Sequence, residues 1–429
     1  MKKTILFLCG IFCLCATVAQ PTPDSLLVRY RQMALAYNDD LKAAAKNIES
    51  GIELERAARA DRVPKLSAGG EFQYTGNPLE LSAGLPGVGP LTFQGEELKY
   101  GASATLLQPV YTGGRIVEAI RLAESRKLLA ESERELLRSL VCYQTDVQYW
   151  TAVARFELMK VAEDFRNSVS ELARIVRERV EAGMSDRQEL LTVEVKLNEA
   201  EYRLLQMQSD FEIGRMALNS LIGEPLDART PVGGEVMPVE NAATAAYGTP
   251  LRPEVRMAQE HIRMEQSSLR LNDAQYKPQL HVGANAGYFS PGYDFRPDLS
   301  PNYTLYAQVS VPIFEGGKRR REKQAGKYRI GMAADNLHKV ETTIELERNT
   351  AWTSLAQAER RIELAHSSLA KAEENERRAT EKYEEGAVSI ADVIDAQVYR
   401  QTAEINHVTA KAAAQMYFAE LLKAVNGYN

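Results

Sequence analysis

Cysteine is scarce in this 429-residue chain: there are four, and Cys9, Cys13 and Cys15 all fall in the first fifteen residues. If that stretch is cleaved, only Cys142 remains, so no internal disulfide can staple the fold, and a lone mid-helix thiol reads as a small buried apolar residue. A surplus of one charge is also missing. The 52 Lys and Arg face 58 Asp and Glu, so nothing in the overall charge points to nucleic acid. Past residue 19 there is no apolar run of 18 residues, so no membrane-spanning helix is expected. Catalytic punctuation is absent too. No Walker loop, GxSxG or HExxH occurs, and His261, His281, His338, His366 and His407 are scattered without metal-ligand spacing, so neither enzyme activity nor a metal or cofactor is expected.

What is present begins at the N-terminus. Met1-Lys2-Lys3, the apolar core Ile5–Cys15 and the small residues Ala16–Ala19 make 1–19 a secretory signal peptide. Cys15 follows Leu14, a poor setting for lipidation.

The rest is said twice. Pro64-Lys65-Leu66 with alternation to Tyr74, then Gln108-Pro109-Val110-Tyr111-Thr112-Gly113-Gly114, corresponds to Pro278-Gln279-Leu280 with alternation to Tyr288, then Val311-Pro312-Ile313-Phe314-Glu315-Gly316-Gly317. The first pair of prolines lies 214 positions apart and the second 203, so the first copy carries a loop 11 residues longer. A tandem duplication follows. The first repeat spans 20–223, with a β-hairpin at about 64–110, a long helix 115–182 and a return helix 184–222. A linker occupies 224–250. The second repeat spans 251–429, with a hairpin at about 278–314, a long helix 318–385 and a return helix 387–426.

Each alternating segment is about ten residues, the length a tilted strand needs to cross a bilayer. Leu66, Ala68, Phe72 and Tyr74 oppose Ser67, Glu71 and Gln73; Tyr100, Ala102, Ala104 and Leu106 oppose Lys99, Ser103 and Thr105; the second copy repeats the pattern. A soluble sheet with one wet face would show the same alternation; the leader and the lack of membrane helices favour an outer-membrane barrel. Four strands cannot close one, and an open edge in lipid is prohibitive, so the chain is expected to oligomerise; three copies give twelve strands.

From Arg115 to Ala182 there are 68 residues without Gly or Pro, roughly 100 Å of helix. On the return helix Leu190, Val193, Leu197, Ala200, Leu204, Met207, Phe211, Gly214, Leu218 and Leu221 keep a coiled-coil rhythm. Arg400 and His407 interrupt the equivalent register, marking contacts to another helix or to a lumen. Ser185-Asp186-Arg187-Gln188 and Ser389-Ile390-Ala391-Asp392 read as helix starts after terminating glycines.

These residues, above all Tyr383-Glu384-Glu385-Gly386-Ala387-Val388-Ser389-Ile390-Ala391-Asp392-Val393-Ile394-Asp395-Ala396-Gln397, resemble the TolC-like family of outer-membrane efflux and secretion channels across the mature chain. The resemblance implies an α+β membrane fold: a homotrimer sharing a 12-stranded β-barrel, four strands per protomer, continued by an α-helical coiled-coil tunnel in the periplasm. It implies outer-membrane lipid, a periplasmic adaptor (membrane fusion protein) and an inner-membrane pump of the RND, ABC or MFS type as partners. It implies a lumenal acidic ring from Asp392, Asp395 and Glu189, gate hydrogen bonding by Tyr383 with Arg187 standing in for a basic latch missing at Val388, and adaptor contacts at Gly183, Met184, Ser185, Gly386, Ala387, Val388 and Ser389. Asp392 fits a capping box after Ser389 equally well. The function implied is passive export of small toxic compounds. Protein secretion or metal-ion export on the same fold, a soluble periplasmic coiled-coil scaffold and an envelope hydrolase are the competing readings.

Overall fold

The computed structural model describes residues 23–85, 87–239, 251–292 and 298–428. The expected signal peptide lies outside them. The elements run α1 (Pro23–Tyr37), α2 (Asp39–Ala60), β1 (Lys65–Tyr74), β2 (Glu80–Leu85), β3 (Val88–Gln94), β4 (Leu98–Tyr111), α3 (Arg115–Glu181), α4 (Arg187–Ile222), α5 (Pro253–Ala274), β5 (Gln279–Ser290), β6 (Ser300–Ser310), α6 (Lys318–Glu384) and α7 (Ile390–Ala424). The return helices start at Arg187 and Ile390, three residues later than their glycine turns suggest, because each turn is followed by an extended capping residue. None of the described helices is long and apolar enough to cross a membrane.

The chain divides into two compact units, and each draws on both repeats. One comprises 39–137 and 250–346. Its main sheet is antiparallel in the order β1-β4-β5-β6, so the two repeats' hairpins join at β4–β5, in register from Tyr100↔Ser290 to Gln108↔Val282. The junction needs glycine. A Cβ at Gly287 would collide with the Ala102 carbonyl oxygen and lie 2.9 Å from Ser103 Cα. The longer loop of the first repeat is not irregular: β2 and β3 pair there as a separate hairpin.

This sheet is inverted relative to a soluble one. On central β4 the apolar-face Tyr100, Ala102, Ala104 and Leu106 are exposed while Ser103 and Thr105 opposite them are half-buried; on the edge strands both faces are exposed, with Leu66 at 74%, Phe72 74%, Tyr303 77%, Leu305 76% and Val309 66%. On the opposite face Asn285 Nδ2 donates to Thr105 Oγ1 at 3.2 Å. Among the described residues β1 and β6 each have one neighbour, which leaves two unpaired edges.

The other unit holds α1, the second parts of α3 and α6, α4 and α7. All ten expected seam positions of α4 are buried or half-buried, with Val193 and Leu218 at 0% exposure. Gly214 lets α4 approach α3, since a Cβ there would meet Arg155 Cδ at 2.9 Å. Cys142 is buried, as expected of a lone thiol in mid-helix.

The described part of the linker, 224–239, contains no helix or strand but is held at many points. Asn219, fully buried, donates to the carbonyls of Pro225, Leu226 and Ala228 at 3.2, 3.1 and 2.9 Å, and Thr230 donates to its Oδ1 at 2.5 Å. Tyr30 donates to the Pro231 carbonyl at 2.6 Å, Val236 N–H to Glu157 at 2.7 Å, and Gln415 to the Met237 carbonyl at 2.8 Å. At the chain's other end Tyr428 donates to the buried Asp146 at 2.7 Å, which also accepts from Arg31 at 2.6 Å. Two broken positions in the α7 register are contacts to α6. Arg400 pairs with Glu376 at 2.9 Å and Glu404 at 3.0 Å, and the His407 ring meets His366 with centroids 5.6 Å apart.

Candidate gate and tip site

The two helical hairpins of the second unit end in the same way. Gly183 (φ 73°) and Gly386 (φ 74°) adopt the left-handed conformation that glycine reaches without a Cβ penalty. Around each, the Schellman pair of bonds closes the helix: Gly183 N–H to Val180 O at 3.0 Å with Met184 N–H to Arg179 O at 2.8 Å, and Gly386 N–H to Tyr383 O at 3.0 Å with Ala387 N–H to Lys382 O at 2.8 Å. No atom of the described residues lies within 4 Å of either glycine's Cβ direction. Met184 is 66% exposed, Gly386, Ala387 and Ser389 are exposed, Ser185 is half-buried, and Val388 packs partly against the apolar core of the tips.

The caps then diverge. Asp186, not Ser185, caps α4, accepting from Gln188 N–H at 3.2 Å. Ser389 caps α7 within a full capping box, in which Asp392 accepts from Ser389 N–H at 2.9 Å and from its hydroxyl at 2.7 Å. Glu189 and Asp392 occupy the same position, third in their helices, and lie 203 residues apart. Their tasks differ because their caps do. Ser389 has protons to offer its acid. The Asp186 side chain has no proton to offer, and its carboxylate repels a second one, so Glu189 turns away to other donors. It accepts from the Ser185 hydroxyl and from Tyr383 Oη, the latter at 3.3 Å. That bond ties the end of α6 to the start of α4.

Tyr383 is 4% exposed and sits in an apolar core with Val176, Val193, Ile390 and Val393. Burial, followed by the Glu189 charge, pushes its phenol pKa up, so the hydroxyl remains a donor at neutral pH. The Ser389 hydrogen bonds hold the Asp392 carboxyl below its usual pKa, which keeps it anionic. Asp395 is exposed and has no partner among the described residues; it follows Asp392 by one helical turn.

The basic group that reaches across the tips is Arg179. Its guanidinium lies 4.9 Å from the Tyr383 ring centroid and donates to the Tyr383 carbonyl at 3.1 Å. Arg187, the candidate from sequence, is exposed and pairs with no described residue within the protomer. The sequence signal for Arg179 is weak: it is one arginine among several in the last turns of a long helix. Its register mate Lys382 is the hint, since both supply the carbonyl that closes a Schellman turn. Among the described residues no group of three or more His, Cys, Asp or Glu is placed to hold a metal. The tip can therefore offer a hydrogen-bonded clasp between two hairpins and a set of exposed carboxylates.

Known proteins share this architecture. The family model described as outer membrane efflux protein matches residues 30–224 and 251–427. The solvent efflux pump outer membrane protein SrpC of Pseudomonas putida is 24% identical over 302 residues, 69% of this chain and 63% of that protein, so the match spans just under two thirds of the relative's length. The outer membrane protein OprJ of Pseudomonas aeruginosa is 24% identical over 94% of this chain and 84% of its own. The crystal structure of the outer membrane protein VceC from Vibrio cholerae superposes with a TM-score of 0.77 at 17% identity, covering 93% of this chain and 95% of that one.

Proposed function

The chain belongs to the outer membrane efflux protein family, which locates it in the outer membrane, and on that premise we propose that it is a passive exit duct built from three copies. The observation that carries this reading is the inverted sheet with two free edges. An apolar face that stays open in a folded protomer suits lipid, and unpaired strand edges are prohibitive in hydrocarbon. Three four-stranded sheets close a twelve-stranded barrel whose polar face, with Thr105 and Asn285, lines the lumen. A second apolar stripe on α4, opposite its buried seam, is what a neighbouring copy covers: Leu191, Val195, Tyr202, Leu205, Ile213 and Met216 are all exposed.

In this assembly the tips form the closed end. Asp392 and Asp395 from each copy, with Glu189, make the acidic ring, and the Tyr383–Glu189 bond with Arg179 holds the paired hairpins shut. Arg187 is free within the protomer to reach a neighbour. Gly183, Met184, Ser185, Gly386, Ala387, Val388 and Ser389 form the surface that meets a periplasmic adaptor coupled to an inner-membrane pump of the RND, ABC or MFS type. Small toxic compounds are the proposed cargo, by analogy with the relative named for solvent efflux.

The test is single-channel recording in a planar bilayer, comparing wild type with Asp392→Asn/Asp395→Asn, with and without a trivalent cation. Asn keeps the shape of the cap while removing the charge. Small cation-selective steps, blocked by the trivalent ion only when the aspartates are present, support the duct and its ring. Channels indifferent to the substitutions remove the ring. No conductance from membrane-inserted protein, even with the clasp broken by Tyr383→Phe, contradicts the duct.

A further inference from the structure

The two repeats differ most sharply in charge just after the hairpin. Residues 318–329 hold seven cations, Lys318, Arg319, Arg320, Arg321, Lys323, Lys327 and Arg329, against the single acid Glu322. The matching stretch 115–126 holds three cations and two acids. Several other cations at the helix-side ends of the strands are neutralised locally, though the exposed Arg62 and Arg115 are not. Lys65 pairs with Asp61 at 2.9 Å, Arg121 with Glu118 at 2.6 Å and Arg319 with Asp273 at 2.8 Å. Arg320, Arg321, Lys327 and Arg329 are exposed, and their side chains pair with no described residue. Immediately before them, Ile313 is 95% exposed and Phe314 87% exposed. Two bare apolar side chains followed by unneutralised cations match a bilayer interface: the first pair suits the acyl boundary and the cations suit phosphates.

Position agrees with chemistry. β6 ends at Ser310 and α6 begins at Lys318, so Ile313 and Phe314 lie at the end of a membrane-crossing strand on the side where the helices begin. Arg320 and Arg321 are in the first turn of α6, and Lys327 and Arg329 follow roughly 10 Å further along the axis. Side chains on a helix lean toward its N-terminus, which here means toward the membrane, and long cationic side chains extend further in that direction by snorkelling.

We propose that the loop 311–317 and the start of α6 form a binding surface for the anionic phospholipid headgroups of the periplasmic leaflet. The proposal rests on the reading of β1, β4, β5 and β6 as membrane-crossing strands. Each unpaired cation at such a surface strengthens the attraction several-fold, so four together give a preference for anionic over zwitterionic lipid of at least about tenfold.

The experiment is native mass spectrometry of the detergent-extracted full chain exchanged into mixed micelles of phosphatidylglycerol and phosphatidylcholine. Wild type is compared with Arg320→Gln/Arg321→Gln/Lys327→Gln/Arg329→Gln and with a charge-matched control, Lys339→Gln/Arg360→Gln/Arg361→Gln/Lys371→Gln. Retention of phosphatidylglycerol by wild type and control, with near-equal retention of both lipids by the first variant, is the expected result. Equal retention of the two lipids by wild type overturns the proposal, as does an equal loss in both variants. So does complete displacement of the lipid by millimolar inorganic phosphate. If the first variant changes channel ion selectivity but not lipid retention, the patch faces the lumen and the proposal fails. Release of wild type from membranes by alkaline carbonate would instead refute the barrel itself, an outcome read separately from lipid retention.

Discussion

Removing one oxygen from the tip gives the sharpest test of the clasp. Tyr383→Phe keeps the aromatic ring in its apolar core and beneath the Arg179 guanidinium, 4.9 Å away, and deletes the hydroxyl with its bond to Glu189 and its contact with Ser185. A hydrogen bond to a charged group contributes about 1.5–3 kcal/mol at good geometry; at 3.3 Å this one falls nearer about 1 kcal/mol. That shifts the opening equilibrium of one tip roughly fivefold. If three tips open in concert, the shift multiplies to on the order of a hundredfold, enough to turn a channel that rarely opens into one that opens often. Open probability in a planar bilayer reads this directly. Glu189→Gln completes a double-mutant cycle: the amide can still accept, but without charge, so its effect should be smaller than that of Tyr383→Phe, and the double variant should add little. An open probability unchanged by Tyr383→Phe, or strictly additive effects, would refute the idea that this bond holds the hairpins together.

Three further outcomes follow from the same structure. Gly386→Ala forces a Cβ into the left-handed region at a φ of 74° and should cost about 1–2 kcal/mol, seen as faster hydrogen exchange at the end of α6 with the strands unaffected. Asn219→Ala strips partners from three linker carbonyls and from Thr230 and should lower stability by about 3 kcal/mol, with protease cleavage appearing within 224–239. His407 has its pKa lowered by burial, then by Lys411 on its own helix and His366 on α6, against a weaker opposing pull from Glu157 on α3. The folded state therefore binds this proton less readily than the unfolded chain. The associated stability is complete above about pH 6.5 and declines as pH falls through the window below it. Melting between pH 7.5 and 5.5 should show that decline, and His407→Gln should flatten it.

Much of the fold was legible because duplication states each element twice. Proline, alternation and paired glycines marked the hairpins, and a run of 68 residues without Gly or Pro marked the first long helix, whose counterpart the duplication then placed. The buried face of α4 could be named residue by residue because its seam keeps a coiled-coil rhythm. The sequence does not announce the β2–β3 hairpin, because it lies in the loop that is 11 residues longer in the first copy and its alternation is short. The cap of α4 was shifted by one residue because Ser185 and Asp186 are both good caps, and backbone conformation decides between them. At the tips, Asp392 and Tyr383 stood out by motif. The division of labour between Glu189 and Asp392 did not, since it depends on whether the side chain of the neighbouring cap can donate a proton. The role of Arg179 was hidden for a similar reason: its partner is 204 residues away in sequence.

The claim on which the rest depends is that one chain supplies a third of a closed barrel. Native mass spectrometry of the detergent-extracted protein tests it most directly. Three copies per particle, persisting after dilution, agree with four strands and two free edges in each protomer. A stable monomer that retains its sheet and stays in the membrane would contradict it, because those edges would then have to be closed in some other way.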